Sequence, residues 1–538
     1  MPDLHALTLA EQAAAIRARA VSPTELVDHH LRRIEELDGV LGAYRTVDAP
    51  GARRAARTAE ARLAGGAGRG GGTGGRGGGT GGADLPPLLG VPLSVKDTWP
   101  VAGLPFTAGS AAFDDRIAPQ DAAVVGALRA AGGVLLGTTT AAEFGCSSYT
   151  ETAYATARTP YDPARGAGGS SGGAAASVAA GLAAGALGSD GGGSVRIPAA
   201  ACGVVGLKPS RGRVTPAPGT DAFGLATAGP LARTVLDTAL LLDAMAGSTP
   251  GDGSTLPAVP AGHFRACAER EPGPLRIGVL PPADGWHPEA ALACRRTADL
   301  LAGLGHRVEE APPLDPDEYL PDFTVLWSVL AAAVPVPPER EDRLLPLTRW
   351  LRARGGEHDA VRLHAAMASL AATARTICHR YDRFDAVLSP TTNRPPLPVG
   401  SLTEPTEPTE PTGQAEPTGQ AEPAGQAEPA DPTGQADPER TFARMLAVTP
   451  RTPAANLTGR PSISLPLHWT PDGLPIGVML TARLHQEGLL LSLGAQLERA
   501  LPWHHHTARQ EAVLEQARRA GAPRHDGRTA TRPERGTR

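Results

Sequence analysis

The chain reads as an α/β protein organised around one core. Three observations carry this reading. The apolar run 89–97 (LGVPLSVKD) is followed by a helical segment at 119–132 (PQDAAVVGALRAAG), and 133–144 (GVLLGTTTAAEF) reads as a strand entering a helix. Farther on, 275–280 (LRIGVL), a helical stretch from Pro288 to Leu304 and 306–311 (HRVEEA) form a strand–helix–strand unit, and alternation of this type predicts a sheet covered by helices. Finally, 538 residues with 41% hydrophobic content suffice for a large core, and no linker separates two of them.

Taken in order, residues 8–38 show helical spacing in two segments. Ser22 and Pro23 mark the second start, as a cap and a first-turn proline. Another helix is expected over 51–64. Beyond it the unit GRGGGTG at 68–74 recurs at 75–81; no strand precedes it and no lysine follows, so it reads as a surface insert over 65–84. The alanine-rich 174–187 predicts a helix packed closely on a sheet. Residues 403–439 are acidic, proline-rich repeats that cannot build a core, and 463–469 and 473–480 resume as strands. The expected organisation is a folded domain over 1–513 interrupted by these two inserts, then a basic, disordered tail over 514–538.

Composition narrows the function. A net charge of −5 disfavours nucleic acid or an anionic membrane as the main partner. Five scattered cysteines without a CxxC pair read as reduced thiols, not a disulfide framework or zinc site. No signal peptide or membrane-spanning run is visible, which makes a cytoplasmic protein the expectation. The three histidines at 504–506 read as solvated, and no metal or cofactor is expected. Arginine supplies 49 of the 51 basic residues; the only lysines are Lys96 and Lys208. Codon bias is the plain explanation. Lysine differs from arginine, however, in that burial can strip its proton.

Two serine-bearing glycine segments carry the chemistry, 168–173 (GGSSGG) and 191–194 (GGGS). Each glycine is entropically costly, so such runs mark close backbone approach to something. A phosphate cradle would need the lysine of a Walker loop or a strand before Gly168, and neither is present. GGSSG formally matches a hydrolase elbow with Ser170 as nucleophile of an esterase, but the elbow needs a strand-to-helix turn. A serine activated by lysine remains. Lys96 follows an apolar strand and can point into a dry interior, where burial lowers its pKa.

Five segments, 90–97, 107–110, 168–173, 188–214 and 456–480, together resemble the amidase signature family. The resemblance runs from the N-terminal helices to Trp503 and leaves out the inserts. It implies a single large domain with a mixed central sheet covered by helices. It also implies a Ser–cis-Ser–Lys triad: Ser194 as nucleophile, Ser170 after a cis Gly169–Ser170 bond as the bridging serine, and Lys96 as base. Gly191, Gly192, Gly193 and Ser194 would supply amides to an oxyanion hole, with Ser171, Asp190 and Arg196 in support and Lys208 structural. Gly191 stands where the family commonly has threonine, and Ala167 where proline is frequent. The implied activity is hydrolysis of a small-molecule linear amide to an acid plus ammonia or an amine. The glutamine-hydrolysing subunit of a tRNA-dependent amidotransferase is the alternative, since it would use the same triad; a homodimer is compatible with either. Phe323 and Trp327, in an apolar stretch at 322–337, are candidates for lining an acyl pocket, although such residues are more often core.

Overall fold

Eleven strands form one mixed sheet in a computed structural model that describes residues 3–67, 85–219, 223–404, 437–503 and 507–519. In chain order they are β1 (Tyr44–Val47), β2 (Pro92–Lys96), β3 (Val134–Thr139), β4 (Gly185–Asp190), β5 (Val205–Lys208), β6 (Thr227–Ala232), β7 (Arg276–Val279), β8 (Arg307–Glu310), β9 (Ala386–Pro390), β10 (Ser462–Trp469) and β11 (Pro475–Ala482). The spatial order is β1-β3-β2-β4-β6-β5-β10-β11-β9-β7-β8. β2 pairs in parallel with both β3 and β4, and β7 with both β8 and β9. The remaining pairings are antiparallel.

Central strands are buried on both faces, although their mutual pairings are antiparallel, because the sheet lies between two buried layers. Along β4 and β6 the alternation is visible: Leu187 and Ala228 join one buried cluster, Ala186 and Leu231 the other. Small residues let helices lie directly on the strands. A Cβ on Gly477 would come within 2.3 Å of the Ala200 Cβ, and one on Gly206 within 2.6 Å of the Ala199 Cβ. The short helix Arg196–Cys202 is thereby pressed against β5 and β11, and this fixes the loop that precedes it.

The N-terminal helices form as expected, Leu9–Arg17 and Pro23–Leu41. Ser22 accepts from the Glu25 amide at 3.0 Å, and Gly42 ends the helix in the left-handed region. The helix Pro288–Gly303 matches its expected segment, and Ala49–Ala67 covers the one expected over 51–64 and runs on to Ala67, into the insert expected from 65.

Several boundaries differ. The helix expected over 119–132 is confined to Ala123–Ala130. After β3 the chain makes a single turn at Glu143–Gly145, because Phe144 at φ 52° breaks the helical path. The alanine-rich 174–187 is not one helix: Gly172–Ala179 ends at Gly181 (φ 65°), and 185–190 is strand β4. The tail boundary at 513/514 cuts through a helix, Thr507–Arg519, whose Leu514 is buried against the Pro23–Leu41 side of the core. Amphipathic packing therefore extends the folded part to Arg519. Most of both inserts, the histidines at 504–506 and the chain beyond 519 lie outside the described residues, whereas Asp437–Glu439 already belong to the start of the helix Pro438–Val448.

Candidate active site

Lys96 ends β2, between two parallel neighbours, and is fully buried. Burial pushes its amine down to about 7, with Asp190 and Cys146 opposing the shift. Its Nζ donates to Ser170 Oγ at 2.7 Å and to Ser189 Oγ at 2.9 Å. A short contact from an amine that titrates near neutrality suits general-base chemistry.

Ser170 lies just before the helix Gly172–Ala179, and the Gly169–Ser170 peptide is cis. Gly169 has no room for a side chain, since a Cβ would stand 2.5 Å from the Tyr149 carbonyl oxygen. No strand leads into Ser170, so the elbow geometry of an esterase nucleophile is absent there. Ser194 has that placement instead: β4 runs into 191–194 and the helix Arg196–Cys202 follows. Ser194 as a residue is 7% exposed, against 1% for Ser170 and 0% for Lys96, an order that suits a nucleophile, relay and base. The Ser194 carbonyl accepts from the Ser171 amide at 3.2 Å, and Ser171 Oγ donates to the Ser189 carbonyl at 3.2 Å. Ser171 thus ties the Ser170 loop to the Ser194 loop.

The glycine loop is built on a buried ion pair. Asp190 Oδ1 accepts from the Gly193 amide (2.8 Å), Arg196 Nη2 (2.8 Å) and Asn456 Nδ2 (2.9 Å). Its Oδ2 accepts from the Val195 amide (3.2 Å) and Arg196 Nε (2.9 Å). Burial opposes the charge on Asp190, but the Arg196 guanidinium and these donors hold its carboxyl well below the usual range. Arg196 also donates to Asn456 Oδ1 at 2.8 Å. Five convergent donors on one carboxylate compensate for burial of the charge.

This arrangement bears on one expectation. The Gly193 N–H is committed to Asp190 and is therefore not free for the oxyanion hole that the resemblance implies. The amides of Gly191, Gly192 and Ser194 have no partner among the described residues and remain as donors. Gly193 is needed for shape: it sits at φ 128°, and a Cβ would come within 2.5 Å of Thr452 Oγ1. Thr452 Oγ1 in turn donates to the Gly192 carbonyl at 2.6 Å.

Phe323 and Trp327, stacked with centroids 5.1 Å apart, stand over this loop. A Cβ on Gly191 would meet the Trp327 ring at 3.3 Å, and one on Gly192 the Phe323 ring at 3.2 Å. Where the family commonly has threonine, the indole edge fills the space. At Ala167 the other departure has a reason as well, because its amide donates to the Ala157 carbonyl at 2.9 Å, a bond proline could not make. Lys208 is buried and donates to the Pro209 carbonyl at 2.7 Å; burial and Arg196 push it down to about 7.

Sequence reasoning missed Ser189, Asn456 and Thr452. Ser189 sits within the quoted 188–214 segment and Asn456 within 456–480, so the signal was in the motifs, but only contacts reveal what each holds. The described residues contain no cluster of three or more His, Cys, Asp or Glu able to hold a metal, and no helix long and apolar enough to cross a membrane. The five cysteines are unpaired thiols.

The same chain is similar to known proteins along almost all its length. It is 36% identical over 519 residues to AmiB2 of Mycobacterium tuberculosis, covering 94% of this chain and 98% of that protein. It is 33% identical to the 6-aminohexanoate-cyclic-dimer hydrolase of Paenarthrobacter ureafaciens, covering 95% and 97%. The solved structure of a 6-aminohexanoate cyclic dimer hydrolase complexed with substrate matches at a TM-score of 0.78 and 31% identity, over 95% of this chain and 100% of that one. The profile of the amidase family matches residues 25–491, and the chain belongs to that family, the amidase signature enzymes.

Proposed function

We propose that this chain hydrolyses a linear carboxylic amide through an acyl-enzyme on Ser194, with Ser170 as relay and Lys96 as base. The observation that supports this most is the 2.7 Å contact between Ser170 and a buried lysine whose amine is pushed down to about 7. Neutral Lys96 takes the Ser170 proton while Ser170 Oγ takes that of Ser194. Ser194 Oγ bonds to the amide carbon, and the carbonyl electron pair moves onto oxygen. The amides of Gly191, Gly192 and Ser194 meet that oxyanion, where each preorganised donor is worth about 3–4 kcal/mol. As the tetrahedral adduct collapses, the C–N bond breaks and the proton returns from Lys96 through Ser170 to the leaving nitrogen. Water then attacks the ester by the same relay and releases the acid. The relay needs Ser194 Oγ within hydrogen-bond reach of Ser170 Oγ; Ser194 Oγ bonds to no described residue, and this account requires that bond to form in the substrate complex.

Partitioning tests the acyl-enzyme. Amides of one acid with different leaving amines are turned over in the presence of hydroxylamine, and the ratio of hydroxamate to acid is measured. A shared acyl-enzyme gives the same ratio for every amine, and Ser194→Ala abolishes both products. A ratio that follows the leaving amine refutes a common intermediate. Glutamine belongs in the same panel, since turnover of glutamine alone would favour the amidotransferase reading.

A further inference from the structure

A cavity of about 40 Å³ lies among β7, β9, β11, the long helix Ala360–Tyr381 and the short helix Pro453–Leu457. One water needs roughly 10–15 Å³, so this volume suits a small molecule. Leu280, Leu314, Ile377 and Met479 give it apolar walls, and Arg451 and Arg460 supply two guanidiniums. These arginines are only 7% and 6% exposed, yet neither forms an ion pair with any described carboxylate. Arg451 donates from Nη1 to Asn393 Oδ1 at 3.2 Å and lies over the Trp286 ring; Arg460 donates from Nη2 to the Cys378 carbonyl at 3.0 Å. Asp315 faces Arg451 from outside ion-pair distance. Each guanidinium carries five N–H donors, so most are unused. Neither arginine contributes an atom that is both sealed and unpartnered, so the unused donors keep some accessible surface, and both residues line the cavity.

A charge held this deep without a counter-ion is costly, and arginine cannot shed its proton. Two such charges beside apolar walls, with the hydroxyls of Ser389, Thr458 and Thr481 also in the lining, match a ligand with one anionic end and an apolar body. We propose that this cavity is a binding site for a small aliphatic carboxylate, held at its carboxylate by Arg451 and Arg460. Its position connects it to the catalytic loop. Met479 lines the cavity and accepts from Arg196 Nη1 at 3.4 Å. Ala454 and Ala455 line it just before Asn456, which holds Asp190 and Arg196. If Ser194 releases a carboxylic acid, as proposed above, that product belongs to the same ligand class; the binding itself needs no turnover.

The test is calorimetric titration of the full chain with butyrate, and separately with inorganic phosphate. The protein is first blocked at Ser194 with a fluorophosphonate, or carries Ser194→Ala if no label forms, so failure of hydrolysis and failure of binding are read apart. Butyrate is expected to bind with one-to-one stoichiometry, and Arg460→Gln and Arg451→Gln each to weaken it at least tenfold. Both variants should melt no lower than the parent without ligand, since each removes an uncompensated charge. Arg460→Lys, which keeps the charge but loses the planar fork, should fall between. Absence of butyrate binding, unchanged affinity in both folded glutamine variants, or binding of phosphate with butyrate silent would each overturn the proposal.

Discussion

Replacing Lys96 by methionine should abolish activity and yet stabilise the fold. The Lys96 amine stands at about 7 in the folded protein against 10.5 for an ordinary lysine, so the unfolded chain binds more protons between those values. Stability therefore rises with pH across that window, by about 1.4 kcal/mol per pH unit for this one group. The penalty is absent above about pH 10.5, grows as pH falls, and is complete below about 7. At its fullest it is roughly 4–5 kcal/mol. Methionine escapes it but forfeits the bonds to Ser170 and Ser189, each worth about 1 kcal/mol. The net expectation is a gain of about 2–3 kcal/mol at neutral pH, read from chemical denaturation of both proteins. In the parent, the neutral fraction of Lys96 rises from about 9% at pH 6 to about 91% at pH 8, so kcat/KM for an amide should rise about tenfold and then level. Lys208, also near 7, is separated by Lys208→Met, which should leave that profile in place. A flat profile between pH 6 and 8, or a Lys96→Met protein less stable than the parent, would refute the reasoning.

Asp190→Asn leaves Arg196 buried without its carboxylate and should destabilise the protein by about 3–5 kcal/mol, measured by the same denaturation. Thr452→Ala removes the bond to the Gly192 carbonyl and should lower kcat/KM about tenfold, whereas Thr452→Ser should restore most of it. Trp327→Ala opens the space above Gly191, so turnover of bulkier acyl groups should rise relative to acetyl amides in a competition assay.

The N-terminal helices and β2 were legible because each carried a local signature, whereas the proposed triad came through the family resemblance. Ser22 and Pro23 announced a helix start, Val91, Leu93 and Val95 a buried strand, and a scarce lysine at the end of that strand a candidate base. β4 was not legible. Its sequence, GALGSD, contains no β-branched or aromatic residue, and its small side chains follow from burial under helices, not from strand propensity. The commitment of the Gly193 amide to Asp190 was equally hidden. Four consecutive N–H groups look alike in sequence, and only the turn that brings one of them to a carboxylate tells it from the others. Asn456 and Thr452 act on the loop from about 260 residues away, a separation that no local pattern encodes.

The central claim, that Ser194 is the activated nucleophile, is tested most directly by reaction with a serine-directed fluorophosphonate followed by peptide mapping. No knowledge of the substrate is needed. The account predicts a single label on Ser194, absent in Ser194→Ala, and formed about tenfold faster at pH 8 than at pH 6 as Lys96 loses its proton. A label on Ser170 or Ser171 would contradict it.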